Sequence, residues 1–280
     1  MATTTTPTQA SGPTIAAHPY QAVTSHSIRE RLPLAILVGT LMLGMGLLVG
    51  GLWPSLKGTF ADLEAQLPEI FTALLGGVGL GTPVGWANAE LVALVAPIGA
   101  IAVALIATTQ GIAGEEETKT LGVLLSAPIS RTTFILAKAT AMVFLVAIVG
   151  VASYLGLLIG SAVGDMGLSQ SGMIGASVHI TAVGIFFGGV AILIGAISGK
   201  RRLTIGAAAG LAGLSFAAAS FLPLSDSLAN GAKASPWYYF NNAIPLANGI
   251  EWTHVLILIG GGALLVVTTL PIFKRRDLRG

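Results

Sequence analysis

The sequence contains no cysteine and few charged residues. Its 280 residues include 14 Lys or Arg and 12 Asp or Glu, so only 9% are charged, against about 25% in an average soluble domain. The absence of cysteine excludes disulfides, thiolate metal sites and cysteine nucleophiles. So few charges cannot cover a water-soluble surface, whereas a surface that faces lipid needs almost none. The small net charge of +2 does not indicate nucleic-acid binding, and no nucleic-acid partner is expected.

Motifs for catalysis and nucleotide binding are missing as well. There is no HExxH zinc motif and no GxxxxGK[ST] phosphate loop; the piece closest to the latter, Gly199-Lys200, has Ile194 where the leading glycine should stand. We therefore expect no catalytic or metal site and no cofactor in this chain. Of the four histidines, His18 and His26 precede the first predicted span, His254 lies at an interface, and only His179 falls inside a span. It either hydrogen-bonds a neighbouring helix or handles substrate or protons, because ionisable groups inside membranes are often functional.

Long apolar segments dominate what is present. An uncharged apolar run of about 20 residues can span a bilayer as a helix, and the sequence predicts an all-α membrane protein with six transmembrane helices. The predicted spans cover residues 34–52, 91–112, 139–163, 174–198, 203–222 and 254–273. The first begins just after Pro33, and the second contains Pro97 as an expected kink. Residues 1–24 are predicted to be a disordered tail, and residues 25–280 to form the six-helix domain.

Basic residues indicate how the chain is oriented. If both termini lie in the cytoplasm, twelve of the fourteen Lys and Arg residues fall on the inner side, and only Lys57 and Lys233 fall outside. This asymmetry obeys the positive-inside rule and predicts a multi-pass protein of the cytoplasmic membrane with both termini inside. The inner set is Arg29, Arg31, Lys119, Arg131, Lys138, Lys200, Arg201, Arg202, Lys274, Arg275, Arg276 and Arg279.

The outer side carries the tryptophans and two long connections. All four tryptophans, at positions 53, 86, 237 and 252, fall at predicted outer boundaries, where amphipathic rings prefer to sit. Apolar residues at helical spacing in 60–75 predict an amphipathic helix on the outer surface. The connection 223–253 can dip into the outer leaflet as a re-entrant segment if it is buried against protein. Glycine pairs such as Gly46/Gly50 and Gly206/Gly210 allow close helix packing without identifying a dimer face.

The loop between the second and third predicted spans is the most informative segment. Three consecutive acids, Glu115 to Glu117, are followed by Leu121, Leu124 and Leu125, whose spacing gives one apolar face on a short helix. Pro128 ends this helix, and Ser130 or Thr132 caps the next one. The pattern predicts a short amphipathic helix parallel to the membrane on the cytoplasmic side. Its leucine face has two candidate partners, the lipid headgroup region and a groove on a soluble protein.

This loop resembles the ATPase-docking region of the ABC-2 type permeases, the membrane-spanning subunits of ABC transporters. In that family, acids are followed by Gly-Thr-Leu and then by Leu-Leu-x-x-Pro-x-x-Arg. Lys119 stands where the family usually has glycine, and Lys138 follows as a family-like lysine. The segments 245–249 and 273–278 also resemble the family's last part. The matching docking positions are Glu115, Glu116, Glu117, Thr120, Leu121, Leu124, Leu125, Pro128 and Arg131.

The resemblance implies a transport subunit rather than an enzyme. Two permeases, either two copies of this chain or this chain and a paralogue, would pair above two ABC ATPase subunits, which bind ATP and Mg. The docking segment would act as a coupling helix, Arg131 would pair with an acid of the ATPase or of the loop, and residues 25–33 would support the coupling helix at the inner interface. A small molecule, amphipathic or hydrophobic, would be exported along a route lined by spans one, two and five.

Three other readings of the sequence stay open. A channel or ion-gradient-driven transporter would favour paired buried charges within the spans and broken helices in inverted repeats, which the spans do not clearly show. An intramembrane enzyme would need a catalytic constellation at membrane depth, where His179 is the only candidate. A scaffold subunit without transport is disfavoured only by the docking loop.

Overall fold

The computed structural model describes residues 19–64, 78–111 and 129–275, with side chains from 19 to 59 in the first range. No strand occurs within these ranges, and the predicted all-α class is confirmed. The helices are α1 Pro19–Glu64, α2 Pro83–Ala87, α3 Val95–Thr109, α4 Arg131–Val163, α5 Gln170–Ser198, α6 Arg201–Phe221, α7 Pro236–Asn241, α8 Pro245–Asn248 and α9 Trp252–Arg275. The predicted outer-surface helix at 60–75 lies almost entirely outside the described residues, which include only the backbone of 60–64.

Six helical segments of the described chain are long and apolar enough to cross a bilayer, which confirms the predicted count. They are Pro19–Thr59, Pro83–Thr109, Arg131–Val163, Gln170–Ser198, Arg201–Leu224 and Trp252–Arg275. Each is longer than the span predicted from the sequence, because the helices continue past the apolar stretch at one or both ends. The prediction located the apolar centres and underestimated the helix ends.

Helix α1 shows this difference most clearly. Its 46 residues extend about 69 Å at 1.5 Å per residue, more than twice the ~30 Å hydrocarbon core. The helix begins at Pro19, within the stretch predicted to be tail, and runs through both Pro33 and Pro54. Pro33 therefore does not mark the start of the helix. Residues Tyr20, Val23 and Ser27 share one face at spacings of three and four, and the last two are buried, so packing holds this first part in place.

The second crossing is interrupted. Thr82 caps α2 by accepting a hydrogen bond from the Gly85 N–H, a π-helical turn follows at Asn88–Val92, and α3 then restarts at Val95. Pro97 lies in the first turn of α3, where a missing N–H leaves no intrahelical bond unmade. The irregularity thus precedes the proline at which the sequence predicted a kink.

Helices α1 and α4 pack against each other in parallel through glycine. Gly46 lies against Gly156, and Gly50 lies against Gly160, so the contacts advance in the same direction along both helices. At each of these positions a β-carbon would overlap backbone atoms of the other helix. The first and third crossings therefore run in the same direction. This is expected, because consecutive crossings of a membrane alternate in direction.

The second crossing runs opposite to the first. Trp86 donates its indole N–H to the Val49 carbonyl at 2.9 Å, while Gly99, further along the chain, lies against Val38 and Met42. Helix α5 lies at the centre of the bundle and contacts α3, α4, α6, α8 and α9. Its side chains Ile180, Val183 and Phe187 are fully buried.

The connection between α6 and α9 folds back against the bundle. It contains two 3₁₀ turns, Leu222–Leu224 and Ala229–Ala234, followed by α7 and α8. The Ser235 hydroxyl donates to the Ser215 carbonyl at 2.7 Å, and the Trp237 N–H donates to the Ser215 hydroxyl at 3.1 Å. These bonds attach the segment to α6 and give the buried hydroxyl groups of Ser215 and Ser235 hydrogen-bond partners.

Tryptophan placement differs from the sequence prediction. Trp53, Trp86 and Trp237 are only 6%, 5% and 2% exposed, whereas Trp252 is 61% exposed. Three of the four rings therefore pack inside the protein, and only Trp252 has the exposure expected of a ring in an interfacial belt.

Candidate functional site

The predicted docking segment lies mostly outside the described residues. Of its nine positions, only Arg131 is described, and the predictions for Glu115, Glu116, Glu117, Thr120, Leu121, Leu124, Leu125 and Pro128 stay predictions. The structure does describe the two helix ends that the segment joins. The description reaches Gly111, just past the end of α3, and resumes at Ile129, just before the start of α4.

Arg131 connects the start of α4 to the end of α9. Its Nη1 donates to the carbonyl oxygens of Phe273 at 3.0 Å and Lys274 at 3.1 Å. Helix carbonyl oxygens near a C-terminal end attract cations. Arg131 therefore holds the last described turn of α9, a role that the sequence did not predict.

Two aromatic rings extend the same contact. Phe134, one turn after Arg131, stacks on Phe273 with ring centroids 6.2 Å apart and an interplanar angle of 13°. Both side chains are buried. We call these three residues, Arg131, Phe134 and Phe273, the α4–α9 clamp.

Lys138 lies one turn further along α4 and faces the end of α3. Its side chain is only 4% exposed, its ammonium lies 5.2 Å from the centroid of the Phe134 ring, and a β-carbon at Gly111 would be 3.0 Å from its Cδ. A buried ammonium must be paired, and the C-terminal end of a helix attracts a cation. Glycine at position 111 leaves room for this lysine beside the first residues of the loop.

The start of α1 is attached to the same region. The hydroxyl groups of Tyr20 and Thr140 are 2.7 Å apart, which links the beginning of α1 to α4. Residues 25–33, expected to support the docking helix, continue directly into the first crossing as part of α1. The spacing of Tyr20, Val23 and Ser27 was the sequence signal for this packed face.

An apolar groove of about 440 Å³ lies between α3 and α6. Its lining side chains are all apolar or aromatic: they are Leu94, Ile98, Ile101, Ala102, Leu105, Ile106, Ile205, Ala209, Ala212, Phe216 and Trp237. Such a groove suits a hydrophobic molecule or lipid chain and offers little to a small ion.

His179 is fully buried in α5 and bonds only locally among the described residues. Its Nδ1 lies 2.9 Å from the Gly175 carbonyl, so Nδ1 carries the hydrogen, and Nε2 of the neutral ring is left as an acceptor. Nε2 is buried and has no hydrogen-bond partner in the described part of the chain. The helix-to-helix hydrogen bond that the sequence suggested is therefore not found, and the bond to Gly175 stays within α5.

We expect His179→Leu to change the unfolding free energy by less than about 1.5 kcal/mol, the range for volume-conserving swaps. The reason is that no contact to another helix through the ring nitrogens is lost. Thermal unfolding of the purified protein measures this, and His179→Ala, which leaves a cavity, should be clearly less stable. If His179→Leu unfolds as readily as His179→Ala, the ring nitrogens are essential to the packing and the expectation is wrong.

Metal binding has no visible centre in the described ranges. Within 19–59, 78–111 and 129–275, no group of three or more His, Asp or Glu side chains could hold a metal ion.

One family model matches nearly the whole chain. The model described as ABC-2 family transporter protein matches residues 16–278. This protein belongs to that family. As an ABC-2 protein it is a membrane transport component and not itself catalytic, and the family implies an ABC ATPase partner in the transporter complex. No curated protein matches this ABC-2 permease.

Proposed function

We propose that this ABC-2 permease exports an amphipathic or hydrophobic compound across the cytoplasmic membrane, using ATP hydrolysed by a separate ATPase subunit. The observation that carries the proposal is the family match over residues 16–278, together with six apolar helices of spanning length. ATP and Mg belong to the partner chain in this proposal.

Docking of the ATPase is assigned to the loop between α3 and α4. Glu115, Glu116 and Glu117 would face basic residues of the ATPase, and the side chains of Leu121, Leu124 and Leu125 would fill its groove. Support comes from the two ends of the loop. Lys138 is buried beside Gly111, and Arg131 is fixed to α9, so motion of the loop would be passed to three helices at once.

The complete transporter would contain two ATPase subunits and a second permease, either a copy of this chain or a paralogue. Helix α6 has a face suited to such a partner. A β-carbon at Gly206 or Gly210 would meet no described atom within 4 Å, so these two glycines have no packing role among the described residues. Small residues allow close approach of another helix in a membrane.

Both termini are assigned to the cytoplasm. The basis is the distribution of basic residues, twelve of fourteen of which fall on that side. The Arg131 contact with the end of α9 puts the start of the third crossing and the end of the sixth at the same end of the bundle, so the assignment of the side rests on the basic residues alone.

Cargo is assigned to the groove between α3 and α6. Because its lining is apolar or aromatic, desolvating an apolar cargo there costs nothing in lost hydrogen bonds, whereas a small ion would lose its hydration without replacement. Lipophilic compounds are therefore expected to stimulate ATP hydrolysis by the reconstituted complex, and small inorganic ions are not.

The docking assignment predicts the result of a co-purification. The native permease, solubilised from its host, should co-purify with an ATP-hydrolysing subunit. A variant carrying Glu115→Ala, Glu116→Ala and Leu124→Ala should lose that subunit, because it removes two charged contacts and one apolar anchor. The measurement is ATP hydrolysis in the purified fraction, with the partner identified by mass spectrometry.

The matched control replaces two acids and one leucine at exposed positions outside the loop, through Asp226→Ala, Glu251→Ala and Leu256→Ala. This variant should keep the partner. Equal loss in both variants would mean general destabilisation, and absence of any ATPase from the native preparation would count against the proposed function itself.

A further inference from the structure

We propose that the α4–α9 clamp makes the last crossing part of the docking machinery, with Arg131 as its positioning residue. The functional effect of the clamp, which is to pass motion of the docking loop to α9, rests on the proposed function. The geometry of the clamp stands on described residues alone.

The position of Arg131 is unfavourable for its own helix. It is the first residue of α4, which Ser130 caps by accepting a hydrogen bond from the Thr133 N–H at 3.0 Å. A cation at a helix N-terminus opposes the helix dipole. The same guanidinium lies against two carbonyl oxygens in the last described turn of α9, and the direction of the α9 dipole favours a cation there.

The contact consists of two hydrogen bonds from one nitrogen. One guanidinium nitrogen reaches two successive carbonyls, those of Phe273 and Lys274, at 3.0 and 3.1 Å. Charge-assisted bonds of this kind are roughly twice as strong as neutral ones. The stacked rings of Phe134 and Phe273, both buried, add an apolar contact between α4 and α9 beside these bonds.

The clamp is continuous with the other end of the loop. Phe134 also lies under the Lys138 ammonium at 5.2 Å, and the side chain of Lys138 packs beside Gly111 at the end of α3. The stripe 131, 134, 138 on one face of α4 therefore contacts both α3 and α9. A displacement of the loop would move three helix ends together, although Phe273 is 142 residues away in sequence from Arg131.

The absence of cysteine allows spin labels to be placed without background substitutions. Labels at Leu136→Cys on α4 and Arg275→Cys at the end of α9, both exposed, report the clamp directly. In the isolated native permease the distance distribution should be narrow. Arg131→Gln should broaden it, Arg131→Lys should restore part of the narrow population because an ammonium still donates to a carbonyl, and Arg202→Gln, which removes an exposed cation at the start of α6, should leave it unchanged.

In the reconstituted complex, the permease carrying Arg131→Gln is compared with the native permease at equal amounts of bound ATPase, because Arg131 is itself one of the predicted docking positions. Its stimulation of ATP hydrolysis should fall at least about fivefold, the low end of typical coupling between sites. The narrow distance in the native protein should shift by less than about 2 Å when the ATPase is trapped with ADP and vanadate, because the clamp moves as one body.

Three results would overturn the proposal. They are an unchanged distance distribution in Arg131→Gln, a larger shift of the native distance on trapping, and normal stimulation by Arg131→Gln. If Arg131→Gln fails to fold, Arg131→Lys and Phe273→Leu carry the same measurements. The distance measurement in the isolated permease needs no ATPase, so it tests the clamp even if the proposed function is wrong. A negative result for the clamp would leave the proposed function unaffected.

Discussion

Gly50→Ala is expected to lower the unfolding free energy of this permease by about 3 kcal/mol, the upper end of the usual cost of overpacking. A single methyl group has this effect because backbone atoms of α4 lie opposite Gly50. The β-carbon would overlap the carbonyl group of Gly160 on α4. Backbone atoms cannot rotate aside as a side chain can, so the two helices would have to separate.

Separation of α1 from α4 affects the whole contact between them. Gly46 and Gly156 make the same kind of approach one turn earlier, and Gly164 approaches Gly50 at the other end. Helix association inside a membrane depends on close packing, because lipid tails are as apolar as the helix surfaces. Loss of that packing is not offset by any hydrophobic gain.

Gly51→Ala is the matched control. Gly51 is the next residue of α1, is exposed, and would have no atom within 4 Å of an added β-carbon. This variant should be at least as stable as the native protein, since alanine is the better helix former by about 1 kcal/mol. Thermal unfolding in detergent, followed by size-exclusion chromatography, separates the two. Equal unfolding temperatures for both variants would show that α1 and α4 do not pack through Gly50.

The sequence predicted the positions of the crossings better than it predicted which helices pack against each other. Apolar length gave the six helices, because a bilayer imposes a minimum span that can be counted in one dimension. The spacing of Gly46/Gly50 and of Gly206/Gly210 is the same in sequence, yet the first pair contacts α4 and the second has no close neighbour among the described residues. Spacing shows that close packing is possible, and only the three-dimensional arrangement shows which helix comes close.

The candidate site was also predicted only in part from the sequence. The acids and leucines of the loop were predicted from local pattern and family likeness, and they remain predictions. The contact of Arg131 with Phe273 and Lys274 could not be read from the sequence, because a backbone carbonyl has no sequence signature. The apolar groove between α3 and α6 was also invisible, since its lining residues look like any other residues of an apolar span.

Tryptophan shows how two physical preferences give the same sequence pattern. An indole near the end of a span satisfies the interface preference, but it can equally be buried if its N–H finds a partner. Trp86 donates to the Val49 carbonyl, and Trp237 donates to the Asn241 side chain at 3.1 Å. These hydrogen bonds make burial possible, and they could not be predicted without knowing which groups lie nearby.

Trp237→Ala is expected to cost about 3 kcal/mol of unfolding free energy, the lower end of the range for removing a large buried aromatic side chain. The indole lies against three other rings, with centroid distances of 5.3 Å to Phe216, 6.1 Å to Phe240 and 6.4 Å to Phe187. These rings come from α5, α6 and α7, so the cluster attaches the connection 223–253 to the bundle. Trp237→Phe keeps a ring in the cluster and loses mainly the hydrogen bond to Asn241. It should lower the unfolding free energy by about 1 kcal/mol.

Trp252→Ala distinguishes burial from an interfacial role. Both tryptophans looked alike in the sequence, but Trp252 is 61% exposed and Trp237 only 2%. If packing within the protein sets the cost, Trp252→Ala should unfold within a few tenths of a kcal/mol of the native protein in detergent, as ordinary surface substitutions do. Similar losses at both positions would mean that contact with detergent or lipid dominates. Trp237 also lines the groove between α3 and α6. Trp237→Phe should therefore leave the fold intact but change which lipophilic compounds stimulate ATP hydrolysis. That result would connect the aromatic cluster to the proposed cargo path.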